Sequence, residues 1–331
     1  KTSIAKQVKQ IFHKVAYCGA CRVCEANCPY GYISFEGGLH IDDRCVKCGK
    51  CRQIEDGCLL YHSLQLPKNG GGVMKSLNTF ADHAPKYEWV RDFYERGDEF
   101  FQNNSLGPMQ ISMFKRFLSD AQLAEKNKVT EFMLLTKRIG WESDSAWGLI
   151  LIQLVYGNPQ IRWYIDNMPV NERMPRTYLE DLLTETGMSE KDAKSITKAF
   201  GRLCDLPLGT ALNFGAVEKK GRQITSLTRY KASLRDDRVI LYALYRFAEA
   251  CDGYYQFTLS RLLDESIVSN GICPSRLFGL DSDAVKQIVY GLSAGYPDYL
   301  YATFTHDSEK IQLRENKTSQ DVLGLFVGQE Q

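Results

Sequence analysis

The sequence predicts a mainly α chain with small β hairpins, split between a short cysteine-dense region and a longer helical body. Three observations carry that expectation. Eight of the eleven cysteines fall between Cys18 and Cys58. A proline and a glycine triplet then interrupt the chain between Leu64 and Met74. Beyond that break, apolar residues recur at helical spacing, and helix pairs joined by turn residues alternate with hairpin-like pieces.

With 331 residues, 44% hydrophobic and 24% charged, the chain is ordinary globular material with room for two or three domains. The longest apolar stretch, Ala146 to Tyr156, falls short of the eighteen or so residues of a membrane helix, so a soluble, cytoplasmic protein is expected. A net charge of +1 neither selects nor rejects nucleic acid, because a basic face can be offset elsewhere. The chain opens on Lys1, and Thr2 to Phe12 reads as the middle of a helix without a signal peptide. Residues 1–14 are therefore expected to end a helix that starts earlier, in a longer protein.

The cysteine block reads Cys18-Gly-Ala-Cys21-Arg-Val-Cys24-Glu-Ala-Asn-Cys28-Pro29, then Cys45-Val-Lys-Cys48-Gly-Lys-Cys51, and closes at Cys58. The first run is C-x2-C-x2-C-x3-C-P, and the second begins to repeat it after 27 residues. Three thiolates spaced by two residues wrap one iron–sulfur cubane, while the next cysteine points away and serves a neighbouring cluster. Cys18, Cys21, Cys24 and Cys58 are assigned to one [4Fe-4S] centre, and Cys45, Cys48, Cys51 and Cys28 to a second. Between the runs, Tyr32 to Glu36 and Leu39 to Asp42 read as a hairpin turning on Gly37-Gly38. Zinc usually takes two C-x2-C pairs and fits the triplets less well. Disulfides are disfavoured without a secretory segment. Cys204, Cys251 and Cys273 lie scattered among apolar neighbours and read as buried thiols.

The helical body follows in three parts. Residues 15–66 form the cysteine domain, 67–75 the linker, and 76–170 a helical module. In that module Ile111, Phe114, Phe117 and Leu118 make a stripe behind Pro108, and Ser143 to Tyr156 is a core helix. Residues 171–240 are the clearest unit: helix Tyr178–Glu185, turn Thr186-Gly187-Met188, then a capping box at Ser189 to Asp192. That box opens a helix with Ala193, Ile196, Phe200 and Leu203 on one face. Leu212 to Val217, a polar turn over 218–222 and Ile224 to Arg229 complete a winged-helix-like pattern. Residues 241–331 repeat it with a helix at Phe257 to Asp264, a helix at Ser282 to Leu292 and a hairpin turning at 306–309. The apolar patch Val322 to Phe326 is expected to dock as a last helical turn. Three winged-helix-like modules are the structural expectation, the first of them within 76–170.

Between Ser189 and Arg238 there are eleven Lys or Arg against six Asp or Glu. Lys191, Lys194 and Lys198 share a helix face, Lys219, Lys220 and Arg222 sit at the hairpin tip, and Arg229 follows on the second strand. Together these are the candidate contacts to the phosphates of duplex DNA. The competing reading is a solvated lysine face on a protein–protein adaptor. His13, His40, His62, His83 and His306 are dispersed, and no nucleophile grouping or phosphate-binding glycine loop is visible, so no catalytic residue is assigned.

Residues from about 15 to 62 resemble a bacterial-type two-cluster ferredoxin domain. They depart from that family between Cys51 and Cys58, where six residues replace the usual three, which leaves Cys58 open as a ligand and a [3Fe-4S] centre open in its place. A wider resemblance is carried by Lys14-Val-Ala-Tyr17, Gly140 to Gly148, Asn158 to Tyr164 and Leu206 to Thr210. These resemble the C-terminal part of the phosphoadenosine phosphosulfate reductase-like family. Such proteins place a nucleotide-binding domain ahead of a ferredoxin insert and a helical domain, and related domains are associated with DNA phosphorothioation and phage defence. The resemblance implies an electron-transfer and docking portion of a sulfur-handling oxidoreductase. Its partner would be a redox protein or the nucleotide-binding domain expected before Lys1. The alternative is a DNA-binding component of a DNA-modification or defence system, with structural or redox-sensing clusters.

Overall fold

Ser143 and Asn158 bracket the most apolar helix of a computed structural model that describes residues 25, 28, 30–35, 39–46, 77–251, 253–263, 270–305 and 308–327. The chain divides into two units, one of residues 1–72, 248–254 and 264–271, the other of residues 73–247, 255–263 and 272–331. The expected terminal helix over 1–14 and the linker over 67–75 lie outside the described residues. Among those residues no helix is long and apolar enough to cross a membrane.

In the first unit, β1 (Ile33–Phe35) pairs antiparallel with β2 (Leu39–Ile41), with Ile33 opposite Ile41 and Phe35 opposite Leu39. Ile33 and Phe35 are buried and Ser34 between them is exposed, the alternation of a half-buried strand. The expected hairpin is present, and its Gly37-Gly38 turn lies outside the described residues.

The second unit opens with α1 (Tyr87–Arg96), α2 (Glu99–Gln102) and α3 (Pro108–Asp120). Pro108 begins α3 as expected, because proline at a helix's first position gives up an amide that would be unpaired anyway. Phe114 packs edge-on to Phe93 and Phe100 and stacks on Phe117, all of them buried. A two-residue ladder, β3 (Ala124–Glu125) with β4 (Lys128–Val129), leads to α4 (Glu131–Arg138), which Thr130 caps through its hydroxyl. Next comes α5 (Asp144–Gly157), capped by the Ser143 hydroxyl, with every residue from Ala146 to Val155 buried. A helix apolar on all sides belongs in a core. Asn158 ends it and starts α6 (Pro159–Asn167), its side-chain oxygen accepting from the Gln160 and Ile161 amides at 3.0 and 3.1 Å. In this region α1 to α3 precede the β3–β4 hairpin, and α4, α5 and α6 follow it.

Two segments share another order. The first runs β5 (Arg173–Pro175), α7 (Arg176–Glu185), α8 (Glu190–Cys204), the short α9 (Pro207–Thr210), β6 (Gly215–Lys220) and β7 (Gln223–Arg229), in a sheet of order β5-β7-β6. After α10 (Arg238–Ala250), the second runs β8 (Gln256–Thr258), α11 (Leu259–Leu263), α12 (Pro274–Phe278), α13 (Ser282–Gly295), β9 (Leu300–Thr305) and β10 (Ser308–Leu313), in a sheet of order β8-β10-β9. Helix α14 (Ser319–Gly324) is the last among the described residues, with Val322, Leu323 and Phe326 buried, so the apolar patch docks as expected.

Two boundaries differ from the sequence expectation. The polar turn over 218–222 shrinks to Gly221-Arg222, because Lys220 still pairs with Gln223 and Gly221 takes the positive φ (64°) that a two-residue turn needs. The helix expected from Phe257 starts at Leu259, since Gln256 to Thr258 pair instead with Lys310 to Gln312. That strand has its partner 50 or so residues away, and local propensity yields to the ladder.

The density of α5 sets a test of this core. Leu154→Ala should lower unfolding stability by about 2–5 kcal/mol in urea titration. Met109→Ala, at a residue 57% exposed, should change it by less than about 0.5 kcal/mol.

Candidate nucleic-acid interface and cysteine hairpin

Helix α8 owes its position to a stripe of Ala193, Ile196, Phe200 and Leu203, spaced three and four apart and all fully buried. The opposite face carries Lys191, Lys194 and Lys198, all exposed. Ser189 starts the helix by accepting from the Asp192 amide at 3.1 Å, and its hydroxyl donates to the Asp192 carboxylate at 2.7 Å. The Asn78 side chain donates to the same carboxylate at 2.7 Å. The Ser189 hydroxyl first, then the Asn78 amide, hold the Asp192 carboxyl below its usual range.

Gly201 lets α8 lie against the β6–β7 hairpin, since a methyl group there would sit 3.0 Å from Ile224 and 3.4 Å from Val217. Along this contact runs an open cleft of about 530 Å³ bordered by Lys198, Arg202 and Asp205 of the helix end, Lys219, Arg222 and Gln223 of the hairpin, and Arg176 of α7. Three of the expected cations therefore share one cleft: Lys198, Lys219 and Arg222. Lys191, Lys194 and Lys220 are exposed but do not line it. Lys194 is paired with Glu190 at 3.4 Å.

Arg176 and Arg202 were not singled out by sequence. Arg202 lies four residues after Lys198, so helical spacing alone would have found it. Its guanidinium donates to the Asp82 carbonyl, which anchors it beside the cleft. Arg176 is brought in by tertiary packing and is fixed by Glu180 at 2.5 Å, with no local signal in the sequence. The one carboxylate within the hairpin strands, Glu218, is neutralised by Arg173, whose Nε and terminal nitrogen donate to it at 2.9 and 2.6 Å. That contact, with the Ser226 hydroxyl at 2.8 Å, brings the Glu218 carboxyl down to about 2.

Arg229 does not belong to this face, contrary to the sequence expectation. It is 2% exposed, and its guanidinium donates to the carbonyls of Ile165 (3.0 Å), Met168 (3.2 Å) and Leu277 (3.1 Å), and also to that of Arg276. It sits at the buried end of β7, the central strand of its sheet, where it caps the last carbonyls of α6.

Of the assigned cluster cysteines, Cys28 and Cys45 are described; Cys18, Cys21, Cys24, Cys48, Cys51 and Cys58 lie outside the described residues. Cys28 precedes β1 and Cys45 follows β2, and the bond from the Asp42 amide to the Tyr32 carbonyl, at 2.9 Å, brings both approaches to one end of the hairpin. The Tyr32 amide donates to the Cys28 sulfur at 3.3 Å. Backbone amides, Tyr30 first and then Tyr32, Gly31 and Ile33, hold the Cys28 thiol below its usual value. A sulfur that accepts from a backbone amide suits a thiolate ligand of an iron–sulfur cluster. Among the described residues no group of three or more His, Cys, Asp or Glu is placed to hold a metal. Of the three remaining cysteines, Cys204 is buried, and burial pushes its thiol up, whereas Cys251 and Cys273 are partly exposed.

The contrast between Arg229 and the cleft cations is measurable. Arg229→Ala should cost about 3 kcal/mol of unfolding stability, because it orphans buried carbonyls, whereas Lys219→Ala should cost less than about 0.5 kcal/mol. The chain matches no family model, no curated protein and no solved structure, and its chemistry rests on its own residues.

Proposed function

We propose that this chain grips duplex DNA through a winged-helix unit, with α8 as its second helix and the β6–β7 hairpin as its wing, and that its cysteine block holds two [4Fe-4S] clusters. The observation that carries the reading is the meeting of Lys198, Lys219 and Arg222, from separate elements, along one cleft. Among the described residues no carboxylate pairs with any of the three. The strand order β5-β7-β6, with the helix pair between its first and second strands in sequence, supports the winged-helix assignment, and β8-β10-β9 supports a second such unit. Counter-ions displaced from DNA phosphates would supply the affinity.

A second reading keeps the cysteine block at the centre: an electron-transfer and docking portion of a phosphoadenosine phosphosulfate reductase-like oxidoreductase. It is favoured by the paired cysteine triplets and by the amides gathered around Cys28. When bound, such clusters supply one-electron transfer, and the chain's own contribution is to place thiolates and amides around them.

Each reading has a separate test. Anisotropy titration with a short duplex should show affinity falling steeply with salt, and replacing Lys219, Lys220 and Arg222 by Gln should flatten the log–log slope by about 2–3. Absence of binding at low salt would remove the DNA reading. For the clusters, protein purified anaerobically should contain about eight iron and eight sulfide per chain. Clusters that EPR-monitored titration cannot cycle reversibly would defeat the relay and leave a structural role.

A further inference from the structure

The carboxylates within α8, Glu190 and Asp192, lie in its first turn, on either side of Lys191. Lys194 of the same helix is drawn into an ion pair with Glu190. The cations that face the hairpin gather at its far end, where Lys198 and Arg202 meet Lys219 and Arg222. A helix that reads bases inserts its amino-terminal residues into the major groove. Here that end would press two carboxylates toward the phosphates.

The side-chain types agree. Base readout in the major groove relies on planar forks, Arg on guanine or Asn and Gln on adenine. The exposed positions of α8 are Glu190, Lys191, Lys194 and Lys198, none of them a fork. Of the arginines beside the cleft, Arg202 is bound to the Asp82 carbonyl and Arg176 to Glu180. The remaining forks, Arg222 and Gln223, sit on the hairpin, which in a winged helix meets the backbone or the minor groove, where the base pattern is degenerate. The segment from α13 to β10 adds no comparable surface, since residues 281–314 carry three Lys or Arg against five Asp or Glu.

Building on the DNA reading above, we infer that the cleft between α8 and the β6–β7 hairpin holds the phosphodiester backbone of one strand of duplex DNA, so that binding is blind to base sequence. Lys198 and Lys219 act as point charges on either wall, and Arg222 closes the hairpin side. One chain then engages one stretch of duplex.

The test selects duplexes from a randomised pool with the full chain, sequences them, and compares A·T-rich with G·C-rich duplexes at fixed salt. No motif should be enriched, and the two dissociation constants should agree within about twofold. The pair Lys198→Gln and Lys219→Gln should weaken both duplexes alike and lower the salt slope by about 2, while Lys191→Gln with Lys194→Gln should change affinity less than about twofold. An enriched motif, a preference above about tenfold, or a dominant loss from the Lys191 and Lys194 pair overturns the inference and leaves DNA binding standing. No binding to any duplex at low salt overturns both.

Discussion

The buried guanidinium of Arg229 is the constraint on which the helical body depends. A cation removed from water costs several kcal/mol unless its donors are used, and here they meet the carbonyls that end α6 and those of Arg276 and Leu277 in α12. One side chain thus ties β7 to α6 and joins the two segments of like order. Around it the Ala232 amide donates to the Phe278 carbonyl at 2.8 Å, and Lys231 pairs with Asp281 at 3.2 Å. Gly279 completes the join: its φ is 66°, and a side chain there would strike Val170 at 2.8 Å. The hairpin that carries Lys219 and Arg222 is thus held from behind by the buried Arg229.

The basic cleft is a product of neutralisation as much as of accumulation. Glu218 would place a negative charge one residue from Lys219, but Arg173 and Ser226 occupy its carboxylate. Asp192 is occupied by Ser189 and Asn78, and Asp82 serves Ser195 with its carboxylate at 3.2 Å and Arg202 with its carbonyl. Residues 78–82 therefore clasp α8 along its length, so the helix enters the cleft with its orientation already set. Gly201 lets it approach the sheet closely enough for Lys198 and the hairpin's Lys219 to border one cleft.

Much of this was readable along the chain. Ser143, Ser189 and Pro108 announce helix starts through local chemistry, and the buried stripes of α3, α8 and α13 follow from periodicity. The hairpin between the cysteine runs follows from alternation around a glycine pair. What escaped were long-range decisions. Phe257 reads as helical until β10 pairs with it. Arg229 reads as one more cation in a basic segment, and only its burial at the end of β7 removes it from the surface.

Residue order by itself determined where helices begin, which faces they bury and how the thiols are spaced, because caps, periodicity and ligand spacing act over a few neighbouring positions. Only the tertiary structure decided that Lys198, Lys219 and Arg222 share a cleft, that Arg176 and Arg202 join its border, and that Arg229 lies inside. Charge on a side chain is a property of sequence, but whether it meets solvent, a carboxylate or a row of carbonyls depends on partners tens of residues away.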